Sequence, residues 1–442
     1  MKLIKNLVCT KLESGYLLIN TLNGLMDLVD QSAIGILEKW NSQESIEVQT
    51  QAEKEFYNAL YTRGYLCTSY EEEQKKKDVI IQTLRKRYQE NKNKVRTLTF
   101  VMTYDCNFRC PYCFESIEKN LRGMNINEKH IDAALALAGE ELEHIGLFGG
   151  EPLLPRNRRT IEYLFNKTLD KSYDVITNGY YLDQFIDLLT CVNVSYVMVT
   201  LDGKRETHNK RRYLANAEPT FDKILHNIQK CLENRIPVRI RMNIDQNTIG
   251  EATELRNVLL STFQDYINLL SFEISPMMEM SFFERNQLYS TLVKNDTECK
   301  QPGSQNVLLS RFSPAVNSLI HRGRLHPTYS YCAGHQTGYI VDPLGFIYPC
   351  LVAVGKYEYA VGTYYPKVCF FENSVNNRNI DTIEKCQRCA YSLLCGGGCP
   401  LKLVDSKDVY KPECGSIFNE IHQMLPLLLQ IKDAEKTVSV AK

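Results

Sequence analysis

Three cysteines, Cys106, Cys110 and Cys113, stand within eight positions in the stretch YDCNFRCPYCFE, residues 104–115. A disulfide uses two thiols, and a structural zinc site usually takes four ligands in closed tetrahedral geometry. The spacing Cys-x3-Cys-x2-Cys lets one loop wrap a cube of iron and sulfur from three corners and leaves one iron free. Phe108, Tyr112 and Phe114 would shield such a cluster. Spacing alone leaves a cluster, zinc and chance all open.

A second signal, FGGEP (Phe148–Pro152), comes about one helix later. Gly149 and Gly150 allow close backbone approach to a ligand, and Glu151 could accept hydrogen bonds from an ammonium group. Alone, the same residues make a common tight turn. ITNG (Ile176–Gly179) brings Thr177 and Asn178, and TLDG with THNKRR brings Thr200, Asp202, His208, Arg211 and Arg212. In VRIRMNID the apolar Val238, Ile240, Met242 and Ile244 alternate with Arg239, Arg241 and Asn243, so Asn243 is expected to point into a barrel. Each polar residue taken singly reads as a surface or capping group.

The elements that must position these residues follow from periodicity. From about residue 97, strands (RTLTFVMTY, HIGLF, YDVIT, SYVMVTL, VRIRMNI, LSFEIS) alternate with helical segments such as 127–144, where Ile131, Leu135, Ala138 and Leu142 recur at helical spacing. Six strands with helical crossovers imply an α/β fold, a parallel sheet curled into a partial (β/α)6 barrel resembling a TIM barrel. Cys106, Gly149, Asn178 and Asp202 follow four successive strands, which places them on one face of that barrel.

Before it, GYLLINTLNGLMDLV reads as two strands around an Asn23-Gly24 turn, followed by amphipathic segments at 34–40 and 51–62 and a short strand YLCT. That order suggests a small winged-helix-like domain over 1–70. Residues 71–96 are charge-dense and read as an exposed, solvated linker helix. The barrel is expected over 97–285 and a bridging region over 286–330. A cysteine-rich domain over 331–420 and a C-terminal helix or tail over 421–442 complete the chain.

In that domain Cys332 precedes GFIYPC (ending in Cys350), then CQRCAYSLLCGGGC (Cys386, Cys389, Cys395, Cys399) and Cys414. Two zinc ribbons are one reading, since CxxC pairs suit tetrahedral zinc, but seven thiolates are one short of two full sites. The 442 residues carry sixteen cysteines with 52 basic and 52 acidic residues, so no net field draws nucleic acid or a membrane surface. The N-terminus has no apolar core long enough for export, and no stretch approaches eighteen apolar residues. Reduced cytoplasm with metal-bound thiolates is expected.

Together the cysteine triplet and FGGEP make residues 97 to about 280 resemble the radical SAM superfamily. The resemblance implies that the open iron binds the amino and carboxylate groups of S-adenosylmethionine and that Gly149, Gly150 and Glu151 cradle the amino group. It further implies cofactor contacts from Tyr112, Thr177, Asn178, Thr200, Asp202 and Asn243, with Arg212 for the methionine carboxylate and Arg211 as its rival. The C-terminal pattern resembles the SPASM extension, which implies two auxiliary clusters and so three 4Fe–4S clusters in all. Cys386, Cys389, Cys395 and Cys414 would hold one, and Cys332, Cys350 and Cys399 the other, which leaves either an iron open to a substrate thiol or a fourth ligand from elsewhere such as Cys369. The N-terminal element order resembles the leader-recognition element of enzymes that modify ribosomally made peptides. The expected partners are a precursor peptide and a reducing flavodoxin or ferredoxin. The expected product is an intrapeptide crosslink, preferentially a cysteine thioether; carbon–carbon crosslinking, sulfatase maturation and a non-catalytic electron carrier are the alternatives.

Overall fold

The computed structural model describes the chain except Glu13 and residues 92–93, 118–120, 278–306, 310–312, 332–336, 373–374, 376, 404–407, 409, 427–428, 430–438 and 441–442. Two units emerge: Met1–Glu90 with Phe312–Ala333 and Asn377–Lys442, and Asn91–Arg311 with Gly334–Asn376. Among the described residues no helix is long and apolar enough to cross a membrane.

In the first unit, β1 (Lys2–Leu3) pairs antiparallel with β5 (Leu66–Cys67). Strands β2 (Leu7–Leu12), β3 (Gly15–Asn20) and β4 (Leu25–Val29) form an antiparallel meander. The expected pair β3–β4 is present, and β1 and β2 are additions. The outer edge of β4 carries a parallel two-residue strand, Ser439–Val440, opposite Asp27 and Leu28. Helix α1 (Gln31–Asn41) starts where Asp30 accepts from the Ala33 N–H at 2.9 Å. Helix α2 (Gln51–Thr62) starts at a Thr50–Glu53 capping box. Trp40 stacks on Phe56 with ring centres 6.0 Å apart, in a core that includes Leu18, Ile34, Leu37 and Leu60.

Helix α3 (Tyr70–Asn91) differs from the solvated spacer that its charges suggest. It buries Glu73, Lys77, Ile81 and Tyr88, a stripe that recurs about every four residues. Ile81 and Tyr88 share a core with Leu22, Tyr329, Ile380, Ile383, Cys386 and Leu393. Two of the four stripe positions are charged, which hides the stripe from a hydropathy reading; Glu73 tolerates burial because it accepts from the Lys5 N–H at 2.9 Å and the Asn6 N–H at 2.8 Å.

Helix α10 (Pro314–Arg322) begins at Ser313, whose N–H donates to the buried Glu420 at 2.8 Å. Burial pushes the Glu420 carboxyl up to about 7. The folded state therefore keeps a proton that the unfolded chain has released, so its stabilising effect is complete below about 4.5 and is lost as pH rises through about 7. Glu420→Gln is expected to flatten that part of the unfolding free-energy profile against pH, measured by denaturant titration, by at most about 3 kcal/mol. A profile unchanged by the substitution would contradict this.

The second unit is built on parallel strands that neighbour one another in chain order: β6 (Thr97–Val101), β7 (His144–Phe148), β8 (Ser172–Thr177), β9 (Asn193–Thr200), β10 (Val238–Ile244) and β11 (Leu270–Pro276). Between them run α4 (Glu128–Ala138), α5 (Arg158–Lys167), α6 (Ile186–Leu189), α7 (Arg205–Arg211), α8 (Phe221–Glu233) and α9 (Ile249–Thr262). This is the expected six-stranded partial barrel. The sheet continues beyond it: β12 (Val307–Leu309) lies parallel to β11, and β13 (Gly338–Val341) parallel to β6. Strands β14 (Phe346–Tyr348), β15 (Gly362–Thr363) and β16 (Cys369–Phe370) follow antiparallel. Strands of two to four residues are too short to leave a periodic signal. On β10 the apolar residues are buried and Arg239, Arg241 and Asn243 are partly exposed, the alternation expected of it.

Candidate functional site

Parallel pairing points the C-terminal ends of β6, β7, β8 and β9 one way, so the loops that follow them meet at one end of the sheet. Gly149 has φ +127°, and a Cβ there would stand 2.4 Å from the Thr103 carbonyl oxygen; a Cβ on Gly150 would stand 2.3 Å from that of Asp105. The N–H groups of Gly150 and Glu151 donate to those same two carbonyls, each at 2.8 Å. The two glycines thus let the second loop lie flat against the cysteine loop.

Glu151 is fully buried. One carboxylate oxygen accepts from the Thr177 hydroxyl at 2.6 Å and the Leu153 N–H at 2.9 Å, and the other from the Asn178 N–H at 2.7 Å. A carboxylate has about four acceptor positions, so roughly one remains for a ligand donor. Burial raises its pKa, and the three donors oppose that rise.

The cysteine loop is pinned on its far side. The Arg109 N–H donates to the Tyr213 carbonyl and the Ala215 N–H to the Asn107 carbonyl, each at 2.9 Å. The Phe108 N–H lies 3.3 Å from Cys106 Sγ, and Asn178 Nδ2 donates to Asn107 Oδ1 at 2.7 Å. None of Cys106, Cys110 and Cys113 is in a disulfide. Burial pushes the Cys106 thiol up, and the negative charges of Glu151, Cys110 and Cys113 push it further. Burial also raises Cys110, which Arg212 pulls back down. On the start of this loop, the Tyr104 hydroxyl donates to the buried Asp342 at 2.6 Å.

The last part of the site centres on Asp202, which has no exposed surface. It accepts from the Tyr112 hydroxyl and, at 3.0 Å, from the Asn243 N–H. Arg212 donates to the Tyr112 oxygen at 2.8 Å, and its guanidinium lies 5.8 Å from the Phe108 ring centre. Arg211 is held instead by Asp245 at 3.1 Å, with Asp202 3.7 Å from its Nε. The Asn243 side chain accepts from Arg241 at 3.3 Å, so Asn243 serves Asp202 through its backbone. Thr200 is buried at the end of β9, paired with Arg241. His208 accepts from the Asp202 N–H at 3.2 Å, and burial keeps it neutral by holding its pKa well down.

Three buried polar atoms around the loop have no hydrogen-bond partner among the described residues: Arg212 Nε, Asn107 Nδ2 and Glu115 Oε1. Three thiols whose charges oppose one another, beside an orphaned cation donor and a carboxylate with a spare acceptor position, fit a cationic iron–sulfur centre with a zwitterionic ligand. Among the described residues no three His, Cys, Asp or Glu side chains converge as the ligands of a single ion do. Asn107 and Glu115 escaped the sequence reading; their signal was position alone, within two residues of a cysteine.

In the first unit, Cys386 and Cys395 are buried, Cys389 half-buried and Cys414 exposed. Burial pushes Cys386 up to about 11, with Cys389 and Cys414 adding to the rise. The Tyr391 N–H lies 3.4 Å from Cys389 Sγ. Gly396, Gly397 and Gly398 all have positive φ, and a Cβ on Gly398 would stand 2.2 Å from the Glu413 carbonyl oxygen. Of the other expected set, Cys332 lies outside the described residues, Cys350 follows β14 in the second unit, and Cys399 follows Gly398 in the first.

Residues 100–256 match the Radical SAM superfamily. Among curated proteins, the chain is 27% identical over 194 residues to the GTP 3',8-cyclase of Clostridium perfringens, covering 42% of this chain and 58% of the cyclase. The chain spans about half the length of the first curated relatives it matches. It is 23% identical over 329 residues to the cysteine-type anaerobic sulfatase-maturating enzyme of Clostridium novyi, covering 67% of this chain and 85% of that enzyme. Among solved structures, SuiB of Streptococcus suis bound to S-adenosylmethionine has a TM-score of 0.57 at 13% identity, covering 94% of this chain and 99% of SuiB. The same protein bound to precursor peptide SuiA gives 0.54.

Proposed function

From a chain whose residues 100–256 form a radical SAM domain, we propose an enzyme that installs an intrapeptide crosslink, preferentially a cysteine thioether, in a ribosomally made precursor peptide. The observation that carries this reading is the junction of the Cys106, Cys110 and Cys113 loop, the GGE turn and Arg212 at one end of the parallel sheet. Cys106, Cys110 and Cys113 would hold a 4Fe–4S cluster, with S-adenosylmethionine completing the fourth iron. When bound, that pair supplies a 5′-deoxyadenosyl radical able to take a hydrogen atom from an unactivated peptide carbon.

The chain's residues hold and orient. Glu151 Oε2 offers its remaining acceptor position to an ammonium, and Arg212 Nε donates to a carboxylate. Tyr112 is fixed between Arg212 and Asp202, which holds the arginine's aim. Phe108 and Phe114, which flank the cysteines in sequence, would shield such a cluster from water. Gly150→Ala tests the geometry: its methyl would push against the Asp105 carbonyl, so at least tenfold weaker S-adenosylmethionine binding is expected by calorimetry. Unchanged binding would mean that the turn does not form the cradle.

Auxiliary clusters at Cys386, Cys389, Cys395 and Cys414, and at Cys332, Cys350 and Cys399, remain part of the proposal, with a flavodoxin or ferredoxin as reductant. Leader recognition by the β2–β3–β4 sheet is supported by the edge of β4, which accepts an extended segment, Ser439–Val440, as an added strand. A protein similar in fold binds a precursor peptide, which agrees with this. Sulfatase maturation is the second reading, favoured by the match over 85% of such an enzyme. Anaerobic incubation with short cysteine-containing peptides encoded beside the gene, read by tandem mass spectrometry, separates the two. Loss of two hydrogens per link supports crosslinking; conversion of one Cys or Ser to formylglycine supports the second reading and overturns the first.

A further inference from the structure

Among the described residues, the first unit holds two buried cations to which the chemistry above gives no role. Lys77 on α3 is 1% exposed, and its ammonium donates to the Cys389 carbonyl at 2.9 Å. Arg378 is buried as well, donating to the carbonyls of Lys411 at 2.8 Å, of Gly398 at 3.5 Å and of Gly397. All four carbonyls belong to the segment that carries Cys386, Cys389, Cys395 and Cys414. Burying an ammonium is costly unless opposite charge is near. Burial works against the Lys77 charge, while Cys389, Glu73, Cys386 and Asp78 support it. Glu73 already accepts three N–H donors, from Lys5, Asn6 and the Asn6 side chain. Of the negative groups near Lys77, Cys389 weighs most, ahead of Glu73, Cys386 and Asp78.

Resting on the reading of these four cysteines as ligands of one auxiliary cluster, we propose that Lys77 sets that cluster's reduction potential. A thiolate-bound cluster becomes more negative on reduction, so a fixed cation in a dry site stabilises the reduced form more than the oxidised one. Lys77 thereby makes this cluster the better acceptor for an electron released during peptide oxidation. It is a positioning residue for charge, since at 1% exposure it offers no surface to a substrate. Arg378 acts in the same sense, but its loss would also release three backbone carbonyls, so Lys77 is the cleaner probe. A lysine that merely anchored α3 would leave the potential unmoved.

The test uses the full reconstituted chain carrying Cys106→Ala, Cys110→Ala and Cys113→Ala, so that only auxiliary clusters contribute to an EPR-monitored redox titration. Lys77→Met and Lys77→Gln should retain iron and shift one midpoint downward. The expected size is at least a threefold change in the reduced-to-oxidised ratio, about 28 mV for one electron. Lys77→Arg should restore the wild-type midpoint. Retained iron with unmoved midpoints overturns the proposal, and so does iron lost from both neutral variants but kept by Lys77→Arg, the mark of an anchor. A Cys386→Ala, Cys389→Ala variant should lose about half of the remaining iron and the shifted wave. If it loses none, the cluster reading itself fails and takes the Lys77 role with it. Iron lost there with midpoints unmoved in the Lys77 variants sinks the Lys77 role alone.

Discussion

Replacing Cys106, Cys110 and Cys113 together by Ala is expected to abolish release of 5′-deoxyadenosine while leaving about two-thirds of the iron, near 8 of about 12 atoms per chain. The three thiols share one loop, and Cys110 and Cys113 each raise the cost of ionising Cys106 in a buried site; metal binding is what makes three thiolates there affordable. The auxiliary cysteines lie in other segments and should keep their clusters. Anaerobic reconstitution, iron analysis and chromatography of the nucleoside check this together. Retained cleavage in the triple variant would remove the assignment, and loss of all iron would mean that the clusters do not form independently.

Glu151→Ala is expected to weaken S-adenosylmethionine binding by about 10- to 150-fold, the range for a hydrogen bond to a charged group of about 1.5–3 kcal/mol. The carboxylate is held by Thr177, Leu153 and Asn178, so its free acceptor position is fixed before any ligand arrives. Glu151→Gln should fare little better. Its amide would turn an N–H toward a site already filled by donors, leaving one buried group unpaired. Calorimetry on the reconstituted chain measures both, and wild-type affinity in Glu151→Ala would reduce the GGE turn to a structural role.

Much of the site was legible because its chemistry is local in sequence. The Cys-x3-Cys-x2-Cys loop and FGGEP each lie on one turn, and strand alternation put Cys106, Gly149, Asn178 and Asp202 at one end of a parallel sheet, where β6 to β9 hold them. What escaped depends on contacts between segments far apart. Arg211 and Arg212 are neighbours, and only Asp245 and Tyr112 separate their roles. Asn243 meets Asp202 through its backbone N–H while its side-chain oxygen accepts from Arg241, contacts that no local pattern encodes. Helix α3 read as solvated because Glu73 and Lys77 are charged, and their burial is satisfied by the Lys5 and Asn6 amides and the Cys389 carbonyl. The strands β13 to β16 were missed because none exceeds four residues.

The most direct measurement is pulsed electron–nuclear double resonance on the reduced enzyme with S-adenosylmethionine labelled at its amino nitrogen and carboxylate oxygen. Hyperfine coupling from both labels to the cluster, absent in the triple cysteine variant, is the expected result. Fully loaded clusters without coupling from either label would show that no iron in this protein is open to the cofactor, contradicting the function proposed for it.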